Sequence, residues 1–170
     1  RLVNDKVLNW QEKIRDLWHN GELPRLEKIE RPVILEIGAG YGGMAHHFMT
    51  MFPKALYIIV DLPESLLFSA SYLTMIHGQQ RVHLLDQSTE VASDSLGGCS
   101  FLMVPNFRSS CLSSWRFDLA INMESFHEMT KMQVAEYLEF LAPRTAILYS
   151  KNFDELYSSI DKVAVTPLLR

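Results

Sequence analysis

The chain has 170 residues, 48% of them hydrophobic and 21% charged, which is the composition of an ordinary globular domain with enough bulk for a real core. A net charge of −4 with no basic stripe argues against a nucleic-acid partner, and no apolar run approaches the roughly 18–20 residues of a membrane span. Cys99 and Cys111 fit neither a metal spacing nor a disulfide framework, and no secretory leader is visible, so a reducing, cytoplasmic setting is expected.

The first residues, "RLVNDKVLNWQEKIRDLW", are charged and amphipathic and contain no initiator methionine, so the chain is expected to be an excerpt of something longer. Leu2, Val7, Leu8, Ile14, Leu17 and Trp18 predict an amphipathic helix over residues 2–19. Gly21 and Pro24 read as breakers. The apolar, branched run at 33–37 predicts a buried strand, and a helix follows the glycines until Pro53. Residues 55–61 predict a second strand that ends on an acid. Residues 63–78 predict a helix with Pro63 in its first turn and Gly78 past its end.

Strands are then expected at 81–86, 100–105, 117–123 and 145–153, with a threonine-capped helix over 130–142 before the last of these. A short helix and a final strand at 162–166 complete the reading. Strands that are apolar throughout, alternating with helices, imply an α/β, doubly wound, mostly parallel sheet with helices on both faces. Such sheets bind ligands at the carboxyl ends of their strands, where the chemically interesting residues of this chain fall. One domain is expected over 1–170, with a helical segment at 1–30 and a Rossmann-like core at 33–170.

"VILEIGAGYGG" (33–43) supports two cofactors. Gly38, Gly40 and Gly43 satisfy G-x-G-x-x-G, the dinucleotide fingerprint, while Gly38, Gly40 and Gly42 satisfy G-x-G-x-G. Both demand a tight turn, a close backbone approach and a helix N-terminus aimed at the ligand. Asp61, ending the next strand, suits ribose hydroxyls in either case. Glu36, two residues before the first glycine, would oppose a diphosphate and suit a cofactor that carries a cation.

These residues carry a family resemblance. "VILEIGAGYGG" resembles the first motif of class I S-adenosylmethionine-dependent methyltransferases, and "IIVDLPESL" their acidic second-strand motif. More narrowly, "DLPESLLFSASYL", "FLMVPNF", "FDLAINMESFHEM" and "YSKNF" resemble, in order, the sugar O-methyltransferases of bacterial polysaccharide clusters. The resemblance implies a truncated Rossmann-like methyltransferase fold, S-adenosyl-L-methionine as cofactor, and a sugar or sugar-containing small molecule as acceptor. It implies that Gly38, Gly40, Tyr41 and Gly42 line the cofactor, with Glu36 at its amino-acid end. Asp61 would hold the ribose, and Leu62 would pack on the adenine. The other adenine contact is either Asp86 or Asn106 after Pro105; the family pattern favours Pro105 and Asn106.

In "INMESFHEM" (121–129), Asn122, Glu124, Ser125, His127 and Glu128 form a dense polar set after a buried strand. Methyl transfer to a hydroxyl needs alignment and a base, and His127 is the candidate by titration range. It equally reads as a hydrogen-bonded histidine at a helix start. Glu128 and Asn122 match the family pattern more closely. Glu128 suits a base, a substrate-orienting group or a metal ligand and equally a plain cap for the following helix, while Asn122 suits a cofactor contact and Ser125 a cofactor or cap contact. No spacing demands a metal. His46 and His47 are expected at the surface, His77 and His83 without partners, and Trp10, Trp18 and Trp115 in packing roles. A homo-oligomer stays open. The alternatives are an NAD(P)-dependent oxidoreductase and a non-catalytic module that keeps the fold.

Overall fold

Six strands form one all-parallel sheet in the computed structural model, which describes residues 5–85, 96 and 98–152. The order is β3-β4-β2-β1-β5-β6, with β1 at Val33–Ile37, β2 at Leu56–Asp61 and β3 at Val82–Leu84. β4 spans Phe101–Pro105, β5 Leu119–Met123 and β6 Leu148–Lys151. The helices are α1 (Asp5–His19), α2 (Glu22–Leu26), α3 (Gly43–Met51), α4 (Pro63–His77) and α5 (Lys131–Leu141).

Successive side chains of a strand point to opposite faces, so a sheet covered on both sides needs apolar residues at every position. That is why these strands read as continuous runs. Ile34, Tyr57, Ile59, Met103 and Ile121 face one core, which they share with residues of α1 to α4 such as Leu17, Leu26, Phe48 and Leu73. Leu35, Ile58, Val60, Leu102 and Ala120 face the other, with Trp115, Phe126, Val134 and Leu141. Glu36 belongs by alternation to the first face and is 1% exposed, the one carboxylate within β1.

The strand order places the ligand crevice. From β1 the sheet grows through β2 on one side and through β5 on the other, with Ile37 paired to both Val60 and Asn122. The loops after β1 and β5 therefore open side by side at the carboxyl edge, the position where doubly wound sheets bind ligands.

Three expectations need correction. Pro24 does not break the chain: it lies inside α2, within the first turn, where no helical N–H is needed. The inward stripe of α1 is not the one that Leu8 and Trp18 suggest, since both are more than half exposed. Trp10, Lys13, Ile14 and Leu17 turn inward instead, at i, i+3, i+4 and i+7. His77 does have a partner, for its Nε2 lies 3.0 Å from His46 Nδ1, and this contact links α3 to α4. Elsewhere the expected caps hold: Thr130 and Gln133 form a reciprocal capping box on α5. The helix and strand expected after residue 153, and Asp86, lie outside the described residues.

Candidate functional site

Two adjoining cavities, of about 450 and about 410 Å³, lie along the carboxyl edge of the sheet. Gly38, Asp61, Leu62, Ser125 and Glu128 line both, so the two form one cleft with a waist. Its ends differ in chemistry. The larger is walled by Val60, Phe107, Met129, Tyr137 and Phe140, with the Asn106 amide among them. The smaller holds Asn9, Lys13, Glu36, Tyr41 and Glu124.

Asp61 ends β2 at the waist. Its Oδ1 accepts from the Leu62 N–H at 2.8 Å and its Oδ2 from the Gly40 N–H at 3.1 Å, so one carboxylate ties the glycine turn to the start of α4. Burial pushes its carboxyl above the usual range, and the backbone N–H donors of Leu62 and Gly40 oppose that.

The glycines do different work. Gly38, at φ +74°, passes so close to Ser125 that a Cβ there would overlap the Ser125 hydroxyl. Gly40, at φ +57°, has no neighbour within 4 Å of where its Cβ would point, and that open space is the cleft itself. Both conformations are in the left-handed region that a side chain disfavours. Gly42 is the N-cap of α3, and a Cβ there would press on Leu73 and Ser69, inside the protein.

Glu36 accepts a hydrogen bond from the Tyr57 hydroxyl at 2.8 Å. Burial raises its carboxyl to about 7, with the Tyr57 hydrogen bond opposing the rise and the Asp61 charge adding to it. Glu124, at the carboxyl end of β5, takes φ +57° and reaches α1, where its Oε1 accepts from Lys13 Nζ at 2.9 Å and Asn9 Nδ2 at 3.2 Å. Burial works to raise Glu124, but those hydrogen bonds and the Lys13 charge hold it below the carboxylate range.

Asn122 and Ser125 serve the wall of the cleft. Asn122 is 0% exposed and lines neither cavity; its amide donates to the Ile37 carbonyl at 3.0 Å and to Ser125 Oγ at 2.5 Å. Its Oδ1 accepts from Asn152 Nδ2 at 2.8 Å. Ser125 Oγ donates to the same Ile37 carbonyl at 3.0 Å, which pins the β5 loop to the end of β1. Pro105 caps the 3-10 turn Asn106–Leu112 and lines neither cavity. His127 also lines neither; its backbone N–H and ring Nδ1 both lie 3.4 Å from Asn152 Oδ1. Glu128 lines both. Among the described residues no cluster of three metal-ligating side chains occurs.

No protein-family model matches the chain, and no curated protein matches it. Among solved structures, that of the mitomycin 7-O-methyltransferase MmcR aligns with a TM-score of 0.52 at 13% identity, over 81% of this chain and 35% of that one. The fold is that of a class I methyltransferase. PigF with SAH aligns at a TM-score of 0.47 and 17% identity, over 66% of this chain and 28% of its own. PKMT2 from Rickettsia typhi aligns at 0.47 and 15%, over 68% and 19%. The chain thus spans between 19% and 35% of the length of these three chains.

Within this methyltransferase fold, Glu36, Gly38, Gly40, Tyr41, Asp61, Leu62, Asn106, Ser125 and Glu128 come together on the cleft, while Gly42, Pro105, Asn122 and His127 stand behind its walls. Lys13 and Asn9 were not legible as site residues. The available signal was a lysine at the centre of the stripe formed by Trp10, Ile14 and Leu17, where a charge is out of place.

Proposed function

We propose that the chain is the cofactor-binding domain of an S-adenosylmethionine-dependent O-methyltransferase, with a sugar or sugar-containing small molecule as its acceptor. The observation that carries the cofactor assignment is the chemical split of the cleft. One end carries the rings of Phe107, Tyr137 and Phe140 with the amides of Asn106 and Gln133, as suits a purine; the other is ionic and, among the described residues, holds one ammonium, Lys13, against the carboxylates Glu36 and Glu124. A diphosphate placed over the glycine turn would face Glu36 and Asp61 with too little cation to offset them. An amino acid with a neighbouring sulfonium suits that balance of charge.

In this reading Asp61 holds the ribose hydroxyls at the waist, and Gly40 lets the backbone approach closely. Leu62, Asn106 and Phe107 contact the base. Glu36 and Glu124 neutralise the ammonium. S-adenosylmethionine, when bound, supplies an electrophilic methyl group on its sulfonium. Glu128, which lines both halves of the cleft, is assigned in this reading as the base that accepts a proton from an acceptor hydroxyl, and His127 lies outside the cleft lining, against Asn152. The sugar assignment rests on the resemblance of the segments around Asp61, Asn106, Glu128 and Asn152 to sugar O-methyltransferases.

Calorimetric titration with S-adenosylhomocysteine and with NAD(P) tests the cofactor. Binding of the adenosylhomocysteine is expected; binding of the dinucleotide alone would sink the assignment. Transfer of a labelled methyl group to a panel of sugars and nucleotide sugars tests the acceptor. Cofactor binding without transfer to any hydroxyl would favour a non-catalytic module.

A further inference from the structure

The ionic end of the cleft contains a costly arrangement. Lys13 is 2% exposed on the inward face of α1, between the apolar neighbours Trp10, Ile14 and Leu17. Removing an ammonium from water costs several kcal/mol unless it is well paired. Among the described residues it pairs with Glu124, at 2.9 Å, and Glu124 keeps its place in the left-handed backbone region, which a non-glycine residue rarely adopts. The docking of α1 does not need this pair. Lys151 already ties β6 to Glu12 at 2.9 Å on the surface, Tyr149 reaches Asp16 at 3.3 Å, and Trp10 closes on Gly43.

Lys13 and Glu124 both line the cavity of about 410 Å³, with Asn9 donating to the same Glu124 oxygen and Glu36 on the adjacent strand. An ammonium and a carboxylate held together at the end of a ligand cleft are complementary to a zwitterion, one group for each of its charges. We propose that Lys13 recognises the α-carboxylate of the ligand's amino-acid end, and that the Lys13–Glu124 pair is exchanged on binding. Lys13 turns from Glu124 to the incoming carboxylate, while Glu124, together with Glu36, takes the incoming ammonium. One internal ion pair becomes two ion pairs with the ligand, and no charge is left buried alone. Helix α1 is then half of the amino-acid subsite. This inference rests on the cofactor reading above.

The test compares three ligands by calorimetry: S-adenosylhomocysteine, its decarboxylated analogue, and methylthioadenosine, which lacks the amino acid altogether. The native chain is expected to bind S-adenosylhomocysteine at least about tenfold tighter than the decarboxylated analogue. Lys13→Met is expected to bind these two equally, with its affinity for the decarboxylated analogue and for methylthioadenosine unchanged, and Lys13→Arg to restore the preference. If Lys13→Met does not fold, because Glu124 is left unpaired, Lys13→Met with Glu124→Gln removes both charges; both adenosyl amines then weaken, so it is read only by their ratio, expected to be near one, with methylthioadenosine unchanged.

A native chain that binds both adenosyl amines equally overturns the assignment. So does a Lys13→Met variant that weakens every ligand by the same factor, since Lys13 would then only hold α1 in place. A native chain that binds none of the three ligands overturns the cofactor reading itself, so the two failures are distinct.

Discussion

Ser125 Oγ occupies the space that a side chain at Gly38 would need, and the same hydroxyl donates to the Ile37 carbonyl at 3.0 Å. The loops after β1 and β5 are thereby locked against each other beneath the cleft. Gly38→Ala meets both this overlap and a φ of +74°, so a loss of stability on the order of 2–4 kcal/mol is expected. Gly40→Ala, at φ +57° with open space ahead of it, is expected to lose only about 1 kcal/mol while weakening S-adenosylhomocysteine binding at least about tenfold. Urea denaturation and calorimetry on both variants separate the effects. Adding Ser125→Gly should recover part of the stability of Gly38→Ala and none of the affinity of Gly40→Ala. Equal stability losses at the two glycines would show that the Ser125 contact matters little.

Glu36 makes stability depend on pH in an unusual direction for a carboxylate. Its ordinary value is 4.5, and burial raises it to about 7 in the folded chain. Between those values the folded state holds a proton that the unfolded state has released, so the contribution of this group is favourable at low pH and is lost as pH rises through 7. The loss is on the order of 3 kcal/mol when complete. Glu36→Gln keeps an acceptor for Tyr57 and removes the titration. The stability of the variant relative to the native chain is therefore expected to improve between about pH 5 and about pH 8. A difference independent of pH would show that Glu36 is not held neutral.

Ligand binding should carry the mirror image of that effect. A cation placed beside Glu36 favours the ionised carboxylate, so binding below pH 7 is expected to release a proton and to tighten as pH rises. Calorimetry in buffers of different ionisation enthalpy measures the release directly. Its absence in the native chain would remove Glu36 from the ammonium subsite.

Asn122 is the hub behind the wall, bonded to Ile37, Ser125 and Asn152 with its amide 0% exposed. Asn122→Ala removes the hydrogen bonds to Ile37, Ser125 and Asn152 at a buried position, and a destabilisation of about 2–4 kcal/mol is expected from the denaturation midpoint. Loss of ligand affinity at unchanged stability would instead make Asn122 a direct contact.

Asp61→Asn exchanges an acceptor of two backbone N–H groups for a side chain that must turn a donor toward one of them. The affinity for methylthioadenosine, which retains the ribose, is expected to fall about 10–100-fold. An unchanged affinity would place the ribose elsewhere.

Much of the fold was legible because local rules and the global fold agree. Strands buried on both faces must be apolar at every position, so β1, β2, β4 and β5 announce themselves within two residues of their observed ends. Pro63, Gly78 and Thr130 mark helix ends because capping chemistry is local. Reading α1 was harder. Leu8 and Trp18 pulled the predicted stripe to the wrong side, since an exposed apolar residue looks the same in sequence as a buried one.

The glycine motif, the acid that ends β2 and the polar run after β5 are contiguous in the chain, and sequence alone determined them along with the parallel α/β plan. Each is set by backbone geometry over a few residues. Tertiary structure decided which of their side chains reach the cleft: Glu128 does, while His127 and Asn122 stand behind it. It also brought Lys13 against Glu124, 111 positions away in the chain. No spacing rule encodes that meeting. It follows from burying the Trp10–Leu17 stripe of α1 on the sheet, which carries one ammonium to the carboxyl ends of β1 and β5.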